Sequence, residues 1–400
     1  MQVYLLGAGA SKAFDESPTA QRMPIARDFF DTFDKLTLSA NPWVLIEGLV
    51  GYIEKKHGRG NAYAYLRSGI DIEDLHSEIE EARDRGLASG DPAEWYLPYR
   101  AYNELVFLFS AVLNDIQNGP VSKAHFNLIT ELAPGDVIIT FNWDTLLDRA
   151  LASATPWRPD WGYGVAPHSV FDDGWRAVQP DNDARGNRLI KLHGSTNWIT
   201  GYSVTDGQGV LVPSQDLDPG AFAVFEQATK PYPCFAGRYM PGYEPYSFGY
   251  YPPNLDVPGR GAPEGHVIVA MRPKVPWRLE GTAPDGGLPS MPLIIPPVRN
   301  KAYTFFGELF GTLWKQAEDA LAEADKITII GYSFPRTDVQ SDQLFRRAFA
   351  RRTSMPRIDI VDPAPASVSN KMTADLGMRD DHLHVVEGYF SADFDFSVLA

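Results

Sequence analysis

Three side chains of this 400-residue chain have the types and settings from which an active site can be built: Asn142, Asp144 and His193. Asn142 and Asp144 stand in Thr140-Phe141-Asn142-Trp143-Asp144, at the end of the β-branched run Val137–Thr140, which reads as a short buried strand. His193 stands in Lys191-Leu192-His193-Gly194-Ser195, directly after a second buried run, Arg188–Leu192. A neutral amide can hold a water without adding charge. A carboxylate can accept from an amide or a hydroxyl. An imidazole, with a reference pKa of ~6.5, can take a proton near neutrality. Asn and Asp after a strand also form turns that only satisfy backbone groups, and a single His is as readily a hydrogen-bonded structural residue. The residue types alone leave both readings open.

The elements that must position them read as an α/β pattern. Open sheets bind ligands outside the carboxyl ends of their strands, where all three residues fall. Gln2–Leu6 is a strand running into Gly7-Ala8-Gly9-Ala10-Ser11-Lys12, a small-residue turn that lets backbone N–H groups approach a phosphate. Lys12 occupies the third glycine position of the dinucleotide fingerprint, and the Gly-Lys-Ser/Thr of a P-loop is absent, so an ordinary strand–helix turn also fits. Two further strands end in small or polar groups: Lys326–Ile330 in Gly331-Tyr332-Ser333, and Arg357–Val361 in Asp362, placed where an acidic residue accepts from ribose hydroxyls. Helices are expected at 23–34, from about 72 to Gly86, and at 96–118, 122–132, 145–151 (capped by Asp144), 303–324, 341–351 and 368–376, with a last strand at 384–386. The alternation predicts a doubly wound, mostly parallel, Rossmann-like sheet with helical additions. Residues 151–187 read as irregular. Residues 201–299, rich in Pro, Gly, Tyr and Phe, with strand-like runs at His266–Met271 and Leu293–Ile295, read as an insertion or small subdomain covering one side of the cleft. The α/β domain then comprises 1–200 and 300–400.

Composition narrows the function classes. With 36 Lys+Arg against 51 Asp+Glu the net charge is −15, which excludes a general basic surface for nucleic acid or anionic membrane and leaves only a local groove or a partner to carry nucleic acid. The single cysteine, Cys234, excludes internal disulfides and a four-cysteine zinc site and fits a reducing compartment. Neither a signal peptide nor a membrane span is expected, and the cytoplasm is the expected location.

Taken in order, Gly-Ala-Gly-Ala-Ser (7–11), Thr-Phe-Asn-Trp-Asp (140–144), Lys-Leu-His-Gly-Ser (191–195) and Gly-Tyr-Ser (331–333) resemble the sirtuin-like NAD-binding domain. They are most similar to its bacterial anti-phage defence branch, over residues 1–200 and 300–390. The resemblance implies that Gly7, Ala8, Gly9, Ala10 and Ser11 hold the NAD diphosphate, with Thr140 counted among the nucleotide-binding residues. It implies that Asn142 holds the attacking water or the ribose, that Asp144 sits by the nicotinamide amide, and that His193 is the general base near the ribose hydroxyls. Gly331 and Ser333 would contact phosphate or ribose, and Asp362 the adenosine end. Sirtuin deacetylases usually carry a four-cysteine zinc module after the His-Gly motif. This chain departs there, so no zinc is expected and deacetylation is in doubt. The implied activity is NAD+ hydrolysis to nicotinamide and ADP-ribose, or a cyclic form of it, in anti-phage defence. Deacylation, ADP-ribosyl transfer and a non-catalytic NAD or ADP-ribose sensor are the alternatives. The implied assembly is a homo-oligomer with a HerA-type ATPase or an Argonaute-related partner.

Overall fold

A computed structural model describes residues 1–36, 46–171, 175–178, 186–201, 204–205, 211–212, 222–225, 290–295, 308–335 and 339–399. Six short runs of Val, Ile, Leu and Thr form one parallel sheet: β1 (Gln2–Leu6), β2 (Val137–Thr140), β3 (Arg188–Lys191), β4 (Lys326–Ile330), β5 (Arg357–Asp362) and β6 (Leu383–Glu387). Their spatial order is β6-β5-β4-β1-β2-β3. The chain winds outward from β1 in one direction and from β4 in the other. Right-handed crossovers therefore lay the two sets of helices on opposite faces. Burial on both faces explains why these strands read as unbroken apolar runs: Val3, Leu5, Leu6, Ile138, Ile139, Ile190, Ile327, Ile330, Ile358 and Ile360 all lie in one core. The mixed α/β class and the parallel sheet expected from the sequence are both present.

A second core lies under the helical additions. Helices Glu47–His57, Ile72–Ser89 and Pro92–Gln117 pack Leu49, Ile53, Leu75, Ile79, Leu105, Leu108 and Val112 against Phe29, Phe30 and Phe33 of helix Phe29–Lys35. Gly90 in the left-handed region stops the second of these, and the Asp91 side chain accepts from the Ala93 N–H to start the third. Glu104, buried mid-helix, accepts from the Gly48 and Leu49 N–H groups and from Arg100 Nε, and so caps helix Glu47–His57 from outside it. Among the described residues no helix is long and apolar enough to cross a membrane.

Local differences from the sequence expectation have local causes. The helix expected over 23–34 begins only at Phe29. The Asp28 carboxylate accepts from the Ile25 N–H at 2.6 Å and pairs with Lys12 at 2.7 Å, which fixes Met23–Asp28 as a strap leading into the helix. The 151–187 stretch contains a short helix, Pro159–Gly162, and strands Ser169–Phe171 and Trp175–Ala177. The last expected helix is Ala366–Asn370, continued by one π turn, Lys371–Asp375. A second, mixed sheet places Ser290–Ile294, Gly194–Gly201, Ala223–Phe225, Ser169–Phe171 and Trp175–Ala177 side by side, drawing strands from both sides of residue 200. Its first strand covers Leu293 and Ile294 of the run expected at Leu293–Ile295. The run at His266–Met271, Cys234 and the start of the helix expected from Tyr303 lie outside the described residues.

Candidate active site

The strand order reverses between β1 and β4, and the turns that leave these two strands interlock. Gly7 N–H donates to the Ile330 carbonyl at 3.0 Å and Gly9 N–H to the Gly331 carbonyl at 2.9 Å. Gly331 has φ +59, and a Cβ there would lie 2.4 Å from Ala10 N, while a Cβ on Gly7 would lie 2.6 Å from the Gly331 oxygen. Only glycine allows this approach. The contact uses the N–H groups of Gly7, Gly9 and Ala10 internally, and Ser11 N–H belongs to the short helix Ala8–Ser11, which leaves Ala8 as the turn's remaining backbone donor. Gly331→Ala is expected to cost about 2 kcal/mol for the left-handed backbone alone, and more for the collision, read as a lower urea midpoint. A midpoint equal to wild type would show that the two turns part without cost.

From β2 the chain brings Asn142 and Asp144 to the same turn. The buried Thr140 hydroxyl donates to the Leu6 carbonyl at 3.0 Å and accepts from Asn142 N–H at 3.0 Å, tying the end of β2 to that of β1. The Asn142 side-chain amide donates to the Gly7 carbonyl and to Ser11 Oγ, both at 2.8 Å. Ser11 Oγ in turn donates to Asp144 Oδ2 at 2.6 Å, and Asp144 Oδ1 accepts from Leu146 N–H at 3.1 Å. The N-cap of helix Leu146–Ala154 is Thr145, not Asp144 as the sequence suggested; from one residue earlier Asp144 accepts from the first helical N–H with one oxygen and anchors Ser11 with the other. Asn142, Ser11 and Asp144 form one directed chain of hydrogen bonds in which each donor polarises the next.

His193 arrives from β3. The Leu192 N–H bonds the Thr140 carbonyl at 3.0 Å, and the His193 carbonyl accepts from Ile295 N–H at 2.8 Å. Its ring lies edge-on to Phe141 with centroids 5.1 Å apart, between Trp143 and Trp314 at 6.4 Å each. Phe141 stacks on Tyr332 at 4.4 Å and 9°. This aromatic wall excludes water from one side of the imidazole.

These elements enclose a cavity of about 540 Å³. Ala8, Gly9, Ser11, Asn142, Asp144, His193, Gly331, Ser333 and Asp362 all line it, so nine of the sequence candidates meet in one space. Gly7, Ala10 and Thr140 are buried beneath its wall and act by holding the others. The rest of the lining carried no sequence signal: Met23–Arg27 of the strap, Asp71 to Glu73, and the apolar side chains Phe29, Phe109 and Leu113 of the helical layer. Trp143, inside a motif already singled out, completes the wall and donates its Nε1–H to the Ile295 carbonyl at 3.0 Å. Among the described residues no group of three or more His, Cys, Asp or Glu side chains is gathered as for a metal ion.

No family model matches this chain, and no curated protein matches it. Among solved structures, a Sir2 homologue carrying a serine-to-alanine change, in complex with ADP-ribose, matches at 14% identity and a TM-score of 0.33, over 97% of this chain and 86% of the other. A second structure, described as a structural basis for the mechanism and regulation of Sir2 enzymes, matches at 12% identity and a TM-score of 0.35, over the same shares of both chains. Values this low assign neither fold nor activity to the chain.

Proposed function

We propose that this chain hydrolyses the nicotinamide–ribose bond of NAD+. The observation that carries the reading is the convergence of an Asn142–Ser11–Asp144 hydrogen-bond chain and His193 on one cavity, where the strand order of a parallel sheet reverses. The sequence motifs resembling the sirtuin-like domain occupy these positions. Scission of the C1′–N bond releases neutral nicotinamide and leaves positive charge on the ribose. Water adds its oxygen to C1′ and gives up a proton. Asn142, through its carbonyl oxygen, orients that water or the ribose without adding positive charge, because its NH2 already serves Gly7 and Ser11. In this reading the Asp144 carboxylate stabilises the cation and accepts from the nicotinamide amide, and His193 takes the proton. Ala8, Gly9 and Ser11 face the diphosphate, Gly331 and Ser333 a phosphate or ribose, and Asp362 the adenosine end.

An activity that drains NAD+ must be restrained. The resemblance supports an anti-phage effector that works as a homo-oligomer, triggered by a HerA-type ATPase or an Argonaute-related partner. Nicotinamide release from NAD+ by the purified chain, alone and with such a partner, tests both parts of this reading. His193→Ala is expected to lower release by about 10²–10⁴-fold, the range of a general base. Release unchanged by that substitution would remove His193 from the reaction. Tight NAD+ binding with no release under any of these conditions would recast the chain as a binding protein. Release that rises with an acylated peptide would recast it as a deacylase.

A further inference from the structure

Beneath the candidate site lies a charged pair that plays no part in the proposed chemistry. Lys191, the last residue of β3, is wholly buried, and its Nζ donates to the Asp144 backbone carbonyl at 2.5 Å and to Asp148 Oδ2 at 2.9 Å. The other oxygen of Asp148 accepts from the Tyr163 hydroxyl, which itself accepts from Asn197 Nδ2 at 3.1 Å. Asp148 therefore fastens the segment 191–197 at both ends, with His193 between them. The same lysine holds the backbone of the turn that presents Asn142 and Asp144. A buried ion pair costs desolvation that an apolar pair of similar volume avoids, so stability alone gives weak reason for one here. What an apolar pair could not do is bond the Asp144 carbonyl and hold two strand ends in fixed register.

We propose that the Lys191–Asp148 pair is a positioning device that sets the Asn142–Asp144 turn and His193 at their working separation. This rests on the hydrolase reading for its effect on turnover, but its effect on geometry stands by itself. Replacing Lys191 alone would strand the Asp148 charge, so both partners are exchanged in Lys191→Met/Asp148→Leu. Asn197→Ala cuts the far end of the clamp and leaves the ion pair in place.

In the double variant nicotinamide release is expected to fall ~30-fold in kcat, with KM for NAD+ and the affinity for ADP-ribose by calorimetry each held within ~3-fold. Asn197→Ala is expected to fall in the same sense by ~5-fold. A crystal structure of the double variant should show Asp144 drawn away from Ser11 beyond hydrogen-bond distance. A folded double variant that keeps both the Asp144–Ser11 contact and its kcat would overturn the proposal, and the pair would then be structural only. Should the double variant fail to fold, Asn197→Ala decides by the same split of kcat from KM. If the wild-type chain releases no nicotinamide even with a partner, the hydrolase reading fails. The Asp144–Ser11 separation, in the double variant or in Asn197→Ala, then decides the clamp by itself.

Discussion

Asn142→Ala is expected to lower nicotinamide release by about 10²–10³-fold while costing about 1–2 kcal/mol of stability. The two effects separate because the side chain has two ends. Its NH2 supports the glycine turn through Gly7 and Ser11, and loss of those bonds is a modest stability effect. Its carbonyl oxygen is the only part left to face a water or ribose in the cavity, and no neighbour replaces it. Asp144→Asn is the companion. It keeps a carbonyl oxygen for the Leu146 N–H, so the fold should hold, but it removes the negative charge that faces the developing cation. Measured as kcat and KM, both variants should lose kcat predominantly. Loss confined to KM would mean that these residues bind the nucleotide and take no part in bond cleavage.

The second large effect is what two buried histidines contribute to the pH dependence of stability. His76 is fully buried between Tyr102 and Phe109, and burial, helped by the nearby Arg83 charge, lowers its pKa to about 3. His125 is buried with Nδ1 2.8 Å from the Ser122 hydroxyl, and burial lowers its pKa to about 4 against a smaller opposing pull from Asp144. Both are neutral in the folded chain and take protons near 6.5 when unfolded. Below that value the unfolded chain binds more protons at these two sites than the folded one, so their contribution to stability falls as pH falls, from about 6.5 towards 4 for His125 and towards 3 for His76. These two groups, at about 1.4 kcal/mol per pH unit each, contribute a loss on the order of 5 kcal/mol between pH 6.5 and 4.5, while the buried Glu104 and Glu80, pushed up by burial to about 8 and about 7, take up protons in the folded chain first and oppose it by a similar amount. Urea midpoints of His76→Leu combined with His125→Gln should therefore rise relative to wild type as the pH is lowered across this window, because the carboxyl gain is then left unopposed. An acid limb of equal slope in the double variant would assign the loss to other groups.

The sequence made the ligand edge legible because strands buried on both faces are mostly apolar, so polar side chains gather where they end. The polar groups at and just after the ends of β2, β3, β4 and β5 therefore mark the carboxyl edge of the sheet. Asn142, Asp144, His193, Ser333 and Asp362 were found that way. Phe109, Leu113 and Asp71 were not, because what brings them to the cavity is the packing of a distant helical layer. Within a helix a wall residue has the same spacing as any core residue. Pro24 read as the first turn of a helix, yet the Asp28 side chain captures the Ile25 N–H and delays that helix to Phe29. The three-residue strands at 169–177 were invisible for a similar reason, since each is defined by its neighbours in the second sheet more than by its own composition.

The interlocked turns at Gly7 and Gly331 also set a timetable. β1 is central in space but first in sequence, and one of its two neighbours, β4, is among the last strands to be made. Contacts so distant along the chain close late and slowly. A ribosome-bound chain that has reached Gly201 already carries Asn142, Asp144 and His193, but it has no β4 turn, no Tyr332 behind Phe141 and hence no complete cleft. A chain with the activity proposed above could not complete its cleft until β4 and Tyr332 had been made.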